Sequence, residues 1–185
     1  MDDPSVRVWL LTWTTYGTWL PGDERGFVGQ VKRDDDRRIR RNRIGEEFDR
    51  AMPGLERASA AFLKGKPNWL TGDQARVTLD QLLQTADYRG WVILAIAVMS
   101  NHVHVALRVV GDPDPENILR DFKSYASRSL NKSFGRPLSG TWWTESGSKR
   151  KLPSAEAVVG GVRYVRDQAR PLASWVGPLA VDTGG

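Results

Sequence analysis

The sequence predicts an α+β fold in which helices pack on one face of an antiparallel sheet. Three observations carry that prediction. A continuous apolar run over 91–99 is followed, after Ser100-Asn101, by a second strand-like run over 102–110, as in a hairpin. Apolar residues at helical spacing occupy 73–89 and 115–131, on either side of that hairpin. A segment rich in aromatic, branched and threonine residues, VRVWLLTWTTY over 6–16, opens the chain as a further strand.

Composition narrows the class. The chain has 185 residues and 40% hydrophobic content, with eight tryptophans, enough for the core of one domain. We read 1–185 as a single domain with an irregular charged insert at about 29–67. No stretch approaches the roughly 20 apolar residues of a membrane span, and Met1-Asp2-Asp3-Pro4 does not resemble a secretory signal. The absence of cysteine excludes disulfides, thiolate metal sites and a cysteine nucleophile, and fits a cytoplasmic location. A net charge of +5 and a pI near 9.7 favour a polyanionic partner.

Taken in order, the first strand ends in the turn signal Gly17-Thr18-Trp19-Leu20-Pro21-Gly22. From Gly26 to Pro67 the periodicity dissolves into a mainly basic run, with short helices expected at 46–52 and 56–64. Thr71-Gly72-Asp73 starts a helix that Asp73 can cap, with Val77, Leu79, Leu82, Leu83 and Ala86 on its apolar side. After the hairpin, Pro115 opens a helix with Ile118, Leu119, Phe122, Tyr125, Ala126 and Leu130 near one face. Thr141-Trp142-Trp143-Thr144 reads as a short strand and 147–151 as a basic loop. Ser154 caps a last helix carrying Val158, Val162, Tyr164 and Val165, interrupted by Gly160-Gly161. The tail after Pro171 shows no usable period.

Both histidines of the chain fall in one stretch, Ser100-Asn101-His102-Val103-His104-Val105. On a strand they share a face, with Cβ atoms roughly 6–7 Å apart, while Val103 and Val105 point into a core. Two imidazoles so placed can hold one metal ion; they can equally be strand histidines with ordinary hydrogen-bond partners. On the last helix, Tyr164 and Gln168 are four apart and face the same way. Tyrosine can serve as a nucleophile, and a glutamine amide oxygen can complete a metal site. Core packing accounts for Tyr164 as well, so spacing leaves both readings open.

Met99-Ser100-Asn101-His102-Val103-His104-Val105 resembles the histidine–hydrophobic–histidine motif of the HUH single-tyrosine transposases, most closely the REP-associated tyrosine transposases and related insertion-sequence transposases. The opening WLLTWTTYGTWLPG over 9–22 is similar to the start of many such proteins. So are Leu119-Arg120-Asp121-Phe122-Lys123-Ser124-Tyr125, Trp142-Trp143 and Tyr164-Val165-Arg166-Asp167-Gln168. The likeness extends over about 6–175, apart from the insert. Many REP-associated relatives carry Asn-Pro after the tyrosine, whereas Gln168 here is followed by Ala169-Arg170-Pro171.

The resemblance implies a ferredoxin-like, RRM-like sheet with the histidine pair on a central strand. It implies cleavage and joining of single-stranded DNA bearing a hairpin or palindromic element, through a 5′-phosphotyrosine on Tyr164. His102, His104 and Gln168 would hold a divalent ion. Imidazole ligands alone favour Mn²⁺ or Zn²⁺, while the resemblance points to Mg²⁺ or Mn²⁺. Lys123, Arg128, Lys132, Lys149, Arg150, Lys151 and Arg163 are the candidates for phosphate contact. In the wider family a homodimer can complete each site in trans, while REP-associated relatives act alone. Two other classes compete: a non-catalytic single-stranded nucleic-acid-binding protein on the same fold, and a hydrolase whose metal activates water. The first leaves the histidine pair unexplained, and the second lacks a third histidine.

Overall fold

The computed structural model describes residues 6–23, 29–32, 38–41 and 52–178. Its centre is a five-stranded antiparallel sheet formed by β1 (Val6–Thr14), β4 (Val92–Val98), β5 (His102–Val110), β6 (Ser148–Lys151) and β7 (Ala173–Val176), in the order β6-β1-β5-β4-β7. The two remaining strands, β2 (Gly29–Lys32) and β3 (Arg38–Arg41), pair with each other within the insert. The helices are α1 (Pro53–Ala61), α2 (Gly72–Arg89), α3 (Pro115–Phe134) and α4 (Ala155–Arg166). The fold class is thus α+β with the histidine strand central, as expected. The described residues include no helix long and apolar enough to cross a membrane.

Alternation along β5 divides the sheet into two faces. Val103, Val105, Leu107 and Val109 join Leu11, Trp13, Ile96 and Val98 in a core covered by α2 and α3. Ala106, with Leu10, Ala95 and Ala97, faces the other way, against Val162 and Val165 of α4. Two helices therefore share one face, and α4 lies on the other, the histidine side. The reason lies in the residues: the small side chains Ala95, Ala97 and Ala106 leave shallow ground for a single short helix. Trp13, stacked on Phe122 and edge-on to Trp143, fills the thicker layer.

Local chemistry differs from expectation at several points. Thr71 caps α2, its side chain accepting from the Gln74 amide while Gln74 returns a bond to the Thr71 backbone; Asp73 pairs with Arg76 instead. Gly90 closes α2 in the left-handed conformation at φ 66°. Tyr125 is half-buried rather than core, with the Arg128 guanidinium 5.1 Å above its ring. Residues 148–151, expected as a basic loop, form edge strand β6, whereas Trp143 contributes one isolated bridge to Thr15. Charge on an edge strand discourages further pairing, and it also hides the strand in sequence. The tail forms β7 against β4, a four-residue edge too short to show a period. The helix expected at 56–64 is α1, and the one at 46–52 lies outside the described residues.

Candidate active site

Register builds the site. On the α4 side of the sheet, Thr12 of β1 lies opposite His104 of β5, and Thr14 lies opposite His102. The two imidazoles stand edge to face with centroids 4.6 Å apart and planes at 78°. His104 is 3% exposed, and its pKa is lowered to about 3, first by burial and then by the neighbouring His102. It is therefore neutral at physiological pH, the form that binds a metal.

Each ring is held through Nδ1. His102 Nδ1 donates to Asn101 Oδ1 at 2.7 Å, since an amide oxygen can only accept, so Nε2 is the ring nitrogen left for a ligand. His104 Nδ1 and Thr12 Oγ1 share a hydrogen bond of 2.7 Å. A partner at Nδ1 orients the ring, the usual support of a metal-ligating histidine. Asn101 is clamped in turn: its carbonyl accepts from the Thr15 amide at 2.8 Å, Thr15 Oγ1 at 3.1 Å and Thr18 Oγ1 at 3.2 Å. Trp19, from the same turn, stands edge-on to His102 with centroids 6.5 Å apart. Neither Thr12 nor Asn101 stood out in the sequence. Thr12 is 92 residues from His104 and only the strand register joins them.

The last helix supplies the nucleophile candidate. Val162 and Val165 anchor α4 on the sheet, which turns Tyr164 toward the histidine strand, its ring 5.1 Å from that of His104. Tyr164 is 51% exposed, and its hydroxyl has no hydrogen bond among the described residues. The core-packing alternative is thereby excluded. Gly161 permits a close approach: a Cβ there would stand 2.6 Å from Leu152 Cδ1, whereas one at Gly160 would meet nothing within 4 Å. The pair does not interrupt the helix.

Gln168 departs from the expected helical face. α4 ends at Arg166 with Asp167 as its C-cap, because Pro171 disfavours helical geometry before it and Arg170 sits at φ 58°. Gln168 nevertheless stays with Tyr164, its Nε2 donating to the Tyr164 carbonyl at 2.9 Å. That leaves the amide oxygen as the end able to ligate. Among the described residues no three histidine, cysteine, aspartate or glutamate side chains cluster as a metal site. No described carboxylate or thiolate therefore completes such a group with His102 and His104.

The basic residues do not converge on this site. Lys123 Nζ is committed to three carbonyls, those of Thr144, Glu145 at 2.8 Å and Ser146 at 3.4 Å. Its pKa falls to about 8, chiefly through burial. Lys149 pairs with Glu116. Arg128 and Lys132 are exposed on α3, behind the sheet as viewed from the histidines. By register Lys151 faces the α3 side, opposite Trp9, and Arg150 faces the histidine side, opposite Leu10. Arg163, exposed beside Tyr164, is the other member on the histidine side. Two surface hollows, one lined by Leu83, Ala86 and Trp175 and one by Arg120, Lys123 and Trp143, lie away from the histidines.

Residues 61–150 match the family described as transposase IS200 like. That match covers the histidine strand and α3, and ends before Tyr164. No curated protein matches the chain. Among solved structures, a REP-associated tyrosine transposase bound to a REP hairpin aligns with TM-score 0.49 and 11% identity, covering 86% of this chain and 64% of that one. This chain thus spans less than two thirds of that protein's length. A Deinococcus radiodurans R1 protein, assigned provisionally as a transposase, aligns with TM-score 0.46 and 16% identity over 91% of this chain and 95% of its own.

Proposed function

We propose, from the match of residues 61–150 to the family described as transposase IS200 like, that the chain cleaves and rejoins single-stranded DNA through a covalent bond to Tyr164. The observation that supports this reading is the convergence of Tyr164 on a histidine pair from another element, ring against ring. The phenol oxygen attacks the scissile phosphorus in line, a P–O bond to tyrosine forms, and the P–O3′ bond breaks. The tyrosine proton passes to solvent, which the half-exposed ring meets directly. The departing O3′ takes up a proton and leaves as a 3′-hydroxyl. Attack by a 3′-hydroxyl on the phosphotyrosine reverses the step and joins DNA without an external energy source.

His102, His104 and the Gln168 amide oxygen are the groups that would hold a divalent ion, Mg²⁺ or Mn²⁺. Such an ion supplies charge neutralisation and polarisation at the scissile phosphate. The residues suit a metal ion, since both imidazoles are oriented through Nδ1 and His104 is kept neutral by burial. All three ligands are uncharged, so the ion's positive charge stays available to phosphate. Arg163 and Arg150 lie on the side the DNA would approach. The substrate on this reading is single-stranded DNA with a hairpin element, bound by a monomer or by a homodimer.

The test incubates hairpin-bearing single-stranded DNA with the chain and Mg²⁺ or Mn²⁺, then looks for a denaturation-resistant adduct on the 5′ end of the cleaved strand. Its absence alongside free cleaved ends would assign the chemistry to water activation instead. Binding with no cleavage at all would make this a binding protein on the same fold.

A further inference from the structure

The segment 62–70 joins α1 to α2 without regular secondary structure, yet it is pinned along its length. The Lys64 amide donates to Tyr16 Oη at 2.7 Å, and the Asn68 amide to the Tyr16 carbonyl at 2.8 Å. The Asn68 side chain donates to the Thr141 carbonyl at 2.6 Å. The Leu70 amide donates to the Ser100 carbonyl at 2.7 Å, two residues before His102. Gly65 lies so close to the neighbouring backbone that a Cβ there would stand 2.9 Å from Ser139 Cα. These bonds hold the segment across the end of the sheet where β1 finishes and β5 begins, the end that carries His102.

What the segment presents is unusual for solvent. Phe62 is 86% exposed and Trp69 57% exposed, and Leu138, on the adjoining loop, is 95% exposed. Interleaved with them are Lys64 and Lys66, also exposed. Ordering an irregular segment costs about 1–2 kcal/mol per residue in backbone entropy. Here the anchors are the backbone, Asn68 and Leu70, and the large aromatics are left outward. A surface of two flat rings flanking a pair of cations matches a strand of unpaired, stackable bases on an anionic backbone.

We propose that segment 62–69 is a track for single-stranded DNA, with Trp69 stacking on a base next to the site and Lys64 and Lys66 meeting phosphates. This extends the reading given under Proposed function and rests on it for the position of the scissile bond. A duplex hides its base faces, so the track distinguishes unpaired from paired DNA.

The experiment measures fluorescence anisotropy of a labelled dT 20-mer and of a duplex of equal length with the full chain. Loss of one base stack predicts that Trp69→Ala binds the single strand about 5- to 100-fold more weakly, while Trp69→Phe retains most of the affinity. The duplex should change by less than about twofold, having no unpaired base to offer. Lys64→Ser/Lys66→Ser should lower the salt slope of single-strand binding by about 1.4, at roughly 0.7 per phosphate. Thermal melting of each variant at the parent's temperature excludes unfolding. Single-strand binding by both variants indistinguishable from the parent overturns the track, even if the Tyr164 adduct forms normally. A parent dimer that Trp69→Ala converts to monomer, with no change in DNA affinity, overturns it in favour of a face for a second copy. Trp69-dependent binding without any phosphotyrosine adduct upholds the track and removes the catalytic reading instead.

Discussion

The ring of Tyr164 stands edge-on to the ring of His104, with centroids 5.1 Å apart and planes at 77°. One residue lies on the last helix and the other on the central strand, so the contact exists only once α4 has docked on the sheet. If that contact marks a nucleophile beside a metal site, Tyr164→Phe removes one hydroxyl that bonds to nothing described in the protein. We expect adduct formation to fall by roughly 10³-fold or more, with thermal stability and DNA affinity close to the parent's. Denaturing gels of labelled DNA check the first and melting curves the second. An adduct that persists in Tyr164→Phe assigns the nucleophile elsewhere.

Burial of His104 gives stability a pH signature. Its folded pKa of about 3 lies below the ordinary 6.5. Between those values the unfolded chain binds a proton that the folded chain does not. This contribution is complete above pH 6.5 and is lost as pH falls toward 3, at up to about 1.4 kcal/mol per pH unit. In urea unfolding with EDTA present, the parent should therefore lose more stability between about pH 6.5 and 5 than His104→Gln does. Parallel losses in the two proteins would contradict the assignment.

If His102 and His104 hold a metal ion, Asn101 and Thr12 support it through the rings they hydrogen-bond. Asn101→Ala and Thr12→Val should each weaken Mn²⁺ binding by about 10- to 100-fold, read by calorimetry without DNA. Thr12→Ser keeps the hydroxyl and should restore most of the affinity. Equal binding by Thr12→Val and the parent would show that His104 needs no partner at Nδ1.

The two glycines of α4 should part company. Gly160 meets nothing, so Gly160→Ala should stabilise the chain by about 0.5–1 kcal/mol through helix propensity. Gly161→Ala forces buried Leu152 to shift and should destabilise it. Chemical denaturation separates them. Slower joining in a stabilised Gly160→Ala would identify a hinge at that position, and an unchanged rate would dismiss it.

Lys123 should behave as a structural residue. Lys123→Met strips three carbonyls of their donor and should cost about 1–3 kcal/mol. Arg163→Ala, on an exposed residue, should leave stability within about 0.5 kcal/mol and weaken DNA binding. Melting temperatures and anisotropy on the same two variants test the contrast. Weakened DNA binding by Lys123→Met at full stability would return the residue to the phosphate-contact group.

Much of the frame was legible in the residues alone. The continuous apolar run over 91–99 and the strand-like run over 102–110 gave the hairpin, and the two-residue period of a strand put His102 and His104 on one face, because strand geometry is local. The 3.6-residue period gave α2, α3 and α4, and Ser154 caps α4 as expected, whereas the cap of α2 is Thr71 rather than Asp73. Charge hid β6 and shortness hid β7, since an edge strand buries too little to leave a pattern. Side of sheet is a different kind of fact. No local rule tells that α4 covers the face opposite α2 and α3. That depends on which face offers room, and Ala95, Ala97 and Ala106 offer it only after pairing. Tertiary structure likewise decided that Lys123 serves three carbonyls and that Thr12 and Asn101 hold the imidazoles. Residue types and spacing can nominate a histidine pair and a tyrosine. Only strand register and helix docking bring partners about sixty and ninety residues apart within a few ångströms, because those contacts are made by packing rather than by the chain between them.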